Sequence, residues 1–201
     1  MDTAVALVKS YLQANGFFTV TEYPILEVVA EESPRTVTDI DVLAIRFPGA
    51  GGIGSDATTG GLRIPPDPKL DLDESVIEVI IGEVKEGAAV LNKAARDPDV
   101  LLAVLRRFGQ MNTDVADGLV TDLVNTGVAL HPAGIRIRLA VFATKPPTRR
   151  NVRYEWISIG DIAMWLQAQV HENWDRIKTI QSKDPALSFM ILFEKASRGE
   201  D

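Results

Sequence analysis

An apolar run that ends in a charged pair, residues 76–85 (VIEVIIGEVK), constrains the fold of this chain more than any other stretch. Its many β-branched residues predict a strand. Because side chains alternate along a strand, Glu83 and Lys85 share one face, about 7 Å apart at roughly 3.3 Å per residue. A charged pair at the end of such an apolar strand requires a physical explanation.

A second apolar strand, predicted over residues 36–47 (TVTDIDVLAIRF), carries Asp39 and Asp41 on one face. If the two strands pair, an aspartate, Glu83 and Lys85 meet at one point. Such a cluster can hold a hard divalent cation and orient a water molecule. The pairing is expected to be antiparallel, since the loop between the strands then merely reconnects them.

Length and composition predict one globular domain spanning residues 1–201. No apolar run approaches the roughly 20 residues of a membrane helix, so no membrane partner is expected. The first sixteen residues read as an amphipathic helix rather than a secretory signal, which predicts a cytoplasmic location. The absence of cysteine excludes disulfides, thiolate metal ligands and a catalytic thiol.

The net charge of −7 argues against a broad nonspecific grip on nucleic acid, which normally depends on lysine and arginine. Local basic clusters remain at Arg106 and Arg107 and over residues 145–153 (KPPTRRNVR). These are the candidates for contacts with phosphates. For each cluster taken alone, a solvated loop is the alternative interpretation.

Apolar periodicity and capping residues predict the order helix, three strands, helices, two strands, helices. The predicted helices cover residues 3–15, 88–96, 98–108, 113–125, 161–180 and 184–195. The predicted strands cover residues 17–29, 36–47, 75–85, 135–144 and 154–159, the first two forming a hairpin. A glycine-rich irregular insertion is expected at about 48–75, either a flap beside the site or a disordered loop. A helical C-terminal extension begins at about residue 160.

The order of elements over residues 3–144, together with Asp41 and the Glu-X-Lys of Glu83 and Lys85, resembles the PD-(D/E)XK nuclease superfamily. In that family a helix precedes a small mixed sheet, an aspartate lies on the second strand, and Glu-X-Lys ends the third. Ile40 stands where the family's name has proline. The resemblance implies an α/β fold with a restriction-endonuclease-like core, a small mixed β-sheet flanked by α-helices.

The same resemblance implies a nuclease that uses Mg²⁺ or Mn²⁺ to cleave nucleic acid, with DNA as the expected substrate. The metal would lie on Asp41, Glu83 and the carbonyl of Val84, and Lys85 would orient or help deprotonate the attacking water. Two carboxylates and a substrate phosphate suit Mg²⁺, which prefers oxygen ligands. The catalytic candidates are therefore Asp41, Glu83 and Lys85.

Three further residues have open roles. Asp39 is either a second ligand or points past the strand end, and Lys93 either contacts phosphate or is solvated. Glu22 is a candidate to approach the site. The first helix has no acidic residue beyond Asp2, so the glutamate that some family members supply from that helix is missing, and a second metal position stays open.

Several alternatives remain at this stage. The two acidic motifs could be an edge decoration and a surface salt bridge on a catalytically silent module that binds nucleic acid or protein in a defence or repair assembly. The acidic composition favours that alternative. A third hypothesis is a metal-dependent hydrolase of another substrate. His131, expected in a loop, and His171, expected in a helix, lack ligand spacing, so structural roles are expected. Apolar residues on several faces of the last two helices suggest a homodimer contact as a hypothesis.

Overall fold

The computed structural model describes residues 2–27, 35–51, 64–109 and 113–199. The strands are β1 (Phe18–Glu27), β2 (Arg35–Arg46), β3 (Ile77–Ala88), β4 (Val128–His131), β5 (Ile135–Lys145) and β6 (Glu155–Ser158). The helices are α1 (Thr3–Ala14), α2 (Pro98–Arg107), α3 (Thr113–Thr126), α4 (Ile159–Glu172), α5 (Trp174–Ile177) and α6 (Pro185–Arg198). Two short 3-10 helices cover Pro68–Leu70 and Ala94–Arg96. Residues 52–63 of the predicted insertion lie outside the described ranges.

The strands form one six-stranded mixed sheet in the order β1-β2-β3-β5-β4, with β6 also paired to β5. β1, β2 and β3 are successively antiparallel, whereas β3 and β5 are parallel. On the other side of β5, β4 pairs with its first half and β6 pairs with its second half. The predicted α/β class and the antiparallel pairing of β2 with β3 are thus confirmed.

Helices cover both faces of the sheet. The crossover layer, formed by α2 and α3 between β3 and β5, buries Leu101 and Leu123 against one face. The terminal layer, formed by α1, α4 and α6, buries Leu12, Ile162 and Ile191 against the other. Burial on both faces explains the unbroken apolar runs at residues 79–81 of β3 and 139–143 of β5.

The first and last helices begin where the sequence supplies caps. The Asp2 carboxylate accepts a hydrogen bond from the Ala4 amide at 2.8 Å, and Asp184 accepts one from the Leu187 amide at 3.0 Å. After α1 the chain turns at Gly16, whose φ of +87° is a left-handed conformation that favours glycine. Asp184 therefore caps the start of α6, and Gly16 follows the end of α1.

A buried ion cluster joins the first residues of β3 and β5. Glu78 is fully buried and lies opposite Arg136 in the parallel register. Its Oε1 accepts from Arg136 Nε at 2.8 Å, and its Oε2 lies 3.3 Å from Arg138 Nε. Arg138 also donates to Glu155 of β6 at 2.7 Å. The alternating arginines of β5 therefore connect it to β3 and to β6.

The helix predicted over residues 88–96 is wrong. β3 continues to Ala88, which pairs with Lys145, and the Ala89 amide donates to the Lys145 carbonyl at 3.0 Å. Only the 3-10 helix Ala94–Arg96 follows before α2. Backbone pairing with β5, a contact distant in sequence, overrides the local helical propensity of the alanines.

The single helix predicted over residues 161–180 is also wrong, because it is interrupted at Asn173. The Asn173 side chain donates to the Gln169 carbonyl at 2.9 Å, and α5 starts afresh at the next residue. The Gln169 carbonyl thus accepts hydrogen bonds from both the backbone N–H and the side-chain amide of Asn173, the residue that caps the end of α4.

The exposed face of α6 is apolar. Phe189 and Leu192 are each 62% exposed and Phe193 is 49% exposed, opposite the buried Ile191. In the described ranges, no helix combines the length and apolar character needed to span a bilayer. The homodimer contact through the C-terminal helices stays a prediction.

Gly82 precedes Glu83 where β3 is packed most tightly. A Cβ at this position would lie 2.9 Å from the Phe142 ring and 3.4 Å from the Val42 carbonyl oxygen. We therefore expect Gly82→Ala to lower the free energy of unfolding by about 1 to 3 kcal/mol in urea denaturation. Gly87→Ala, where a Cβ meets nothing within 4 Å, is the matched control on the same strand. Equal effects of the two substitutions would contradict the packing argument.

Candidate active site

The candidate site lies where β2 parts from β3. Backbone pairing between the strands ends at Val42 and Gly82, and Asp41 is the next residue of β2 beyond that pair. Asp41 Oδ2 accepts a hydrogen bond from the backbone amide of Val84, with an N···O distance of 2.7 Å. A side chain therefore replaces the backbone as the partner of β3 at this point.

β1 and β2 are both irregular at the level of Asp41. Ile40 and Leu43 pack in the core under the crossover layer, whereas Val42 packs under the terminal layer, so side-chain alternation breaks between them. On β1, the residue opposite Asp41 is Glu22, whose φ of +53° is rare for a residue other than glycine. Such a conformation costs on the order of 1–3 kcal/mol and is concentrated at functional sites.

The backbone of Val84 faces the same gap. In an antiparallel pair a residue exchanges both its N–H and its C=O with the same neighbour, so the two groups point to one side of the strand. The Val84 N–H points to Asp41, beyond the last backbone pair of β2 with β3. Its carbonyl oxygen therefore lies on the same side as the Asp41 carboxylate.

The Glu83 carboxylate is buried and is held by two donors. Its side chain is only 3% exposed, and Oε1 accepts from Lys85 Nζ and from Asn92 Nδ2, the latter at 2.5 Å. Burial raises the pKa of Glu83, the Lys85 hydrogen bond opposes this rise, and the Asp41 charge adds to it. The Lys85 side chain remains 30% exposed, so it is accessible from solvent.

The carboxylates of Asp41 and Glu83 are each held by hydrogen bonds to one oxygen. In the part of the chain that the structure describes, no hydrogen bond or ion pair involves Asp41 Oδ1 or Glu83 Oε2. Together with the Val84 carbonyl they form an all-oxygen set, the kind of donor that Mg²⁺ prefers. Among the described residues, no three histidine, aspartate or glutamate side chains gather as a metal cluster. Water or substrate oxygens would have to complete the coordination.

The other acidic and basic candidates occupy different positions. Asp39 is exposed opposite Pro24, and within the described ranges no hydrogen bond or ion pair joins it to Asp41 or Glu83. The shared face predicted for Asp39 and Asp41 depends on an alternation that breaks at Asp41. Glu22 lies beside Asp41 in the β1–β2 register, and Lys93 is exposed next to Asn92.

Neither histidine belongs to this site. His131 ends β4 rather than lying in a loop, as the sequence suggested, because residues 128–131 pair with the start of β5. Its Nδ1 accepts from the Ala133 amide at 3.0 Å. His171 Nδ1 lies 2.7 Å from Glu194 Oε1 between α4 and α6. Both contacts are local and structural in kind.

Asn92 is the site residue that sequence reasoning missed. It lies seven positions after Lys85, in a segment without regular structure between β3 and the 3-10 helix Ala94–Arg96. No periodicity or motif marks it. Only the return of this segment over the end of β3 brings its amide to Glu83.

Comparisons of the chain with protein-family models, with curated proteins and with solved structures found no match. The interpretation of the site therefore depends on its own geometry and chemistry. The resemblance to the PD-(D/E)XK nucleases stays a hypothesis carried by the order of elements and the Asp41, Glu83 and Lys85 motif.

The raised pKa of Glu83 predicts a pH-dependent effect of Glu83→Gln on the metal-free protein. A carboxyl whose pKa is higher in the folded than in the unfolded state makes the free energy of unfolding fall as pH rises between the two values. Glutamine carries no ionisable carboxyl, so the free energy of unfolding of Glu83→Gln does not fall in this way. We therefore expect Glu83→Gln to gain stability relative to wild type as pH rises above the ordinary pKa of a glutamate carboxyl, by about 1.4 kcal/mol per unit of pKa difference.

Urea denaturation at several pH values measures this difference. Glu86→Gln, an exposed glutamate on the same strand, is the control and should show no such trend. A stability difference between Glu83→Gln and wild type that does not grow with pH would show that burial does not penalise the charged carboxylate.

Proposed function

We propose that the protein is a metal-dependent phosphodiesterase that cleaves nucleic acid, with DNA as the expected substrate. The observation that carries this proposal is the meeting of Asp41, Glu83 and Lys85 at the gap where β2 leaves β3. Burial of the Glu83 carboxylate beside Lys85 and a second carboxylate, Asp41, lowers the free energy of unfolding. Groups with pKa values perturbed in this way are concentrated at functional sites.

The topology supports a restriction-endonuclease-like core. One helix precedes three antiparallel strands, a helical crossover follows, and β5 returns parallel to β3. The aspartate lies on the second strand and Glu-X-Lys lies on the third, as in the PD-(D/E)XK pattern. This order of elements supports the proposed family.

The donor set fits Mg²⁺ or Mn²⁺. Asp41 Oδ1, Glu83 Oε2 and the Val84 carbonyl oxygen would hold the ion, and all three are hard oxygen donors. The ion would supply Lewis acidity toward the phosphoryl group. The anchored oxygens Asp41 Oδ2 and Glu83 Oε1 would keep both carboxylates oriented.

Lys85 supplies the remaining chemistry. One of its three ammonium protons bonds to Glu83 Oε1, which leaves two for water or for a phosphate oxygen. Its 30% exposure lets a substrate reach it. In this position the ammonium can orient the attacking water and offset negative charge that develops on the phosphorus centre.

A basic loop at the same edge of the sheet supports a phosphate-bearing substrate. Lys85 lies opposite Ala143 in the parallel register, so the end of β5 and the loop after it leave the sheet beside the site. Lys145, Arg149 and Arg150 are exposed, and within the described ranges none of them forms an ion pair. These cations are therefore available to neutralise phosphates, despite the overall charge of −7.

A catalytically silent module for nucleic-acid or protein binding is the second candidate. Its support is that only two carboxylates meet at the site and that no third one joins them among the described residues. Such a module would keep the fold and the basic loop without using the metal. Metal titration separates the two candidates.

The decisive prediction concerns metal binding and cleavage measured on the same samples. We expect calorimetry to detect Mn²⁺ and Mg²⁺ binding to the wild type, with an affinity at least tenfold lower in Asp41→Asn and Glu83→Gln. Cleavage of plasmid and oligonucleotide DNA should disappear in both variants. Lys85→Ala should bind metal within a few-fold of wild type and cleave at least about a hundredfold more slowly.

Asp39→Asn is the matched control on β2, because its carboxylate is exposed and lies apart from the site. Full metal-dependent cleavage by Asp41→Asn would refute the assigned site. Absence of both metal binding and cleavage in the wild type would favour the silent module.

The basic loop predicts a salt-dependent contribution to binding. Arg149→Ala/Arg150→Ala should weaken the binding of double-stranded DNA, measured by fluorescence anisotropy with Ca²⁺ present to suppress cleavage. The slope of log K against log salt concentration should become shallower by about 2, one for each lost phosphate contact. Arg176→Ala/Lys183→Ala removes the same charge from the region of α5 and α6 and is the control. Equal slopes in both double variants would contradict a specific role of the loop.

A further inference from the structure

One oxygen of Glu83 is shared by two donors of different kinds. Oε1 accepts from Lys85 Nζ and from Asn92 Nδ2, while Oε2 has no hydrogen-bond partner among the described residues. Asn92 follows Leu91 and Ala89, which are 5% and 1% exposed in the core under the crossover layer. These buried neighbours anchor the segment that carries Asn92, and they hold its side-chain amide beside Glu83.

The two donors differ in what else they can do. Lys85 has a long flexible side chain with an accessible charge, and the proposed reaction requires that charge near the water or the phosphate. Asn92 is neutral and has a short side chain, so it has no comparable role in the chemistry. When Lys85 turns to a substrate, Glu83 Oε1 loses one donor at a position where water has almost no access.

We infer that Asn92 is a positioning residue, which holds Glu83 in its ligand geometry while Lys85 moves between Glu83 and the substrate. The inference rests on the proposed function for the role of Lys85. The contact itself stands on the 2.5 Å distance between Asn92 Nδ2 and Glu83 Oε1. Because both donors occupy Oε1, the other oxygen stays available to a cation throughout the exchange.

The arrangement predicts a specific coupling between the two donors. With either donor present, Glu83 keeps one hydrogen bond to Oε1 and its orientation. With both removed, a buried carboxylate has no side-chain donor and can rotate. The loss in the double variant should therefore exceed the product of the losses in the single variants.

A double-mutant cycle on Mn²⁺ affinity tests the coupling, using wild type, Lys85→Ala, Asn92→Ala and the double variant in calorimetry. Each single substitution should lower the affinity by no more than about tenfold, and the double variant should lose at least a further tenfold beyond their product. Asn125→Ala, an exposed asparagine on α3, is the matched control and should bind as wild type. Independent effects of the two substitutions would overturn the inference.

Kinetics add a readout that general destabilisation would not produce. Asn92→Ala should lower kcat severalfold with an unchanged KM for DNA, because Lys85 then stays on Glu83 for a larger share of the time. A change in KM with an unaltered kcat would contradict this role.

Crystal structures of the metal-free variants separate this inference from the proposed function. Glu83 should keep its rotamer in Lys85→Ala and leave it in the double variant, whether or not the wild type binds Mn²⁺. If the wild type binds no metal, the proposed function fails while the rotamer comparison still tests Asn92. An unchanged Glu83 rotamer in the double variant would overturn the positioning role.

Discussion

The site depends on a difference in strand pairing: β2 and β5 flank β3, but they pair with it over different lengths. β2 pairs with β3 only as far as Gly82, whereas β5 pairs with it to Ala88, with an irregularity after Lys85. Beyond Gly82 the strand is therefore supported from one side, and its backbone groups on the other side lack a strand partner. The Asp41 carboxylate takes up the Val84 amide there, and Glu83 and Lys85 follow on a rigid strand. A rigid strand with one open edge fixes reactive groups in place and still admits a substrate.

The two ends of β3 use charge in opposite ways. At one end both oxygens of Glu78 face arginines, and the carboxylate is fully buried. Each charge there has a partner, so the cluster fixes the pairing of β3 with β5 and has no oxygen left for a ligand. At the other end Glu83 is nearly as buried, but both of its donors use one oxygen. The contrast separates an ion pair that serves the fold from an incomplete one that can accept a cation.

The sequence predicts the parts of this site that depend on local pattern and misses those that depend on distant contacts. Strand alternation places Glu83 with Lys85, and two apolar runs predict the β2–β3 pairing. Alternation fails at Asp41, because a distortion shared with β1 decides where its side chain points. Asn92 carries no signal, since only the path of the chain after β3 brings it to Glu83. The alanine-rich stretch at 88–96 reads as a helix because sequence pattern does not reveal that Ala88 pairs with Lys145.

The charges at the site make cation binding and phosphate binding depend on each other. Asp41 and Glu83 together with Lys85 leave a net charge of one negative unit, which repels a phosphodiester. In the proposed function a divalent cation would reverse that sign, so the substrate would be attracted only after the ion is bound. By thermodynamic reciprocity the substrate must then raise the affinity of the site for the ion by the same factor. The cations of the 145–153 loop lie outside this exchange and, in the proposed function, would attract phosphate in either state. If the proposed function holds, an acidic protein would hold nucleic acid through the loop and make tight contact at the site only in its metal-loaded form.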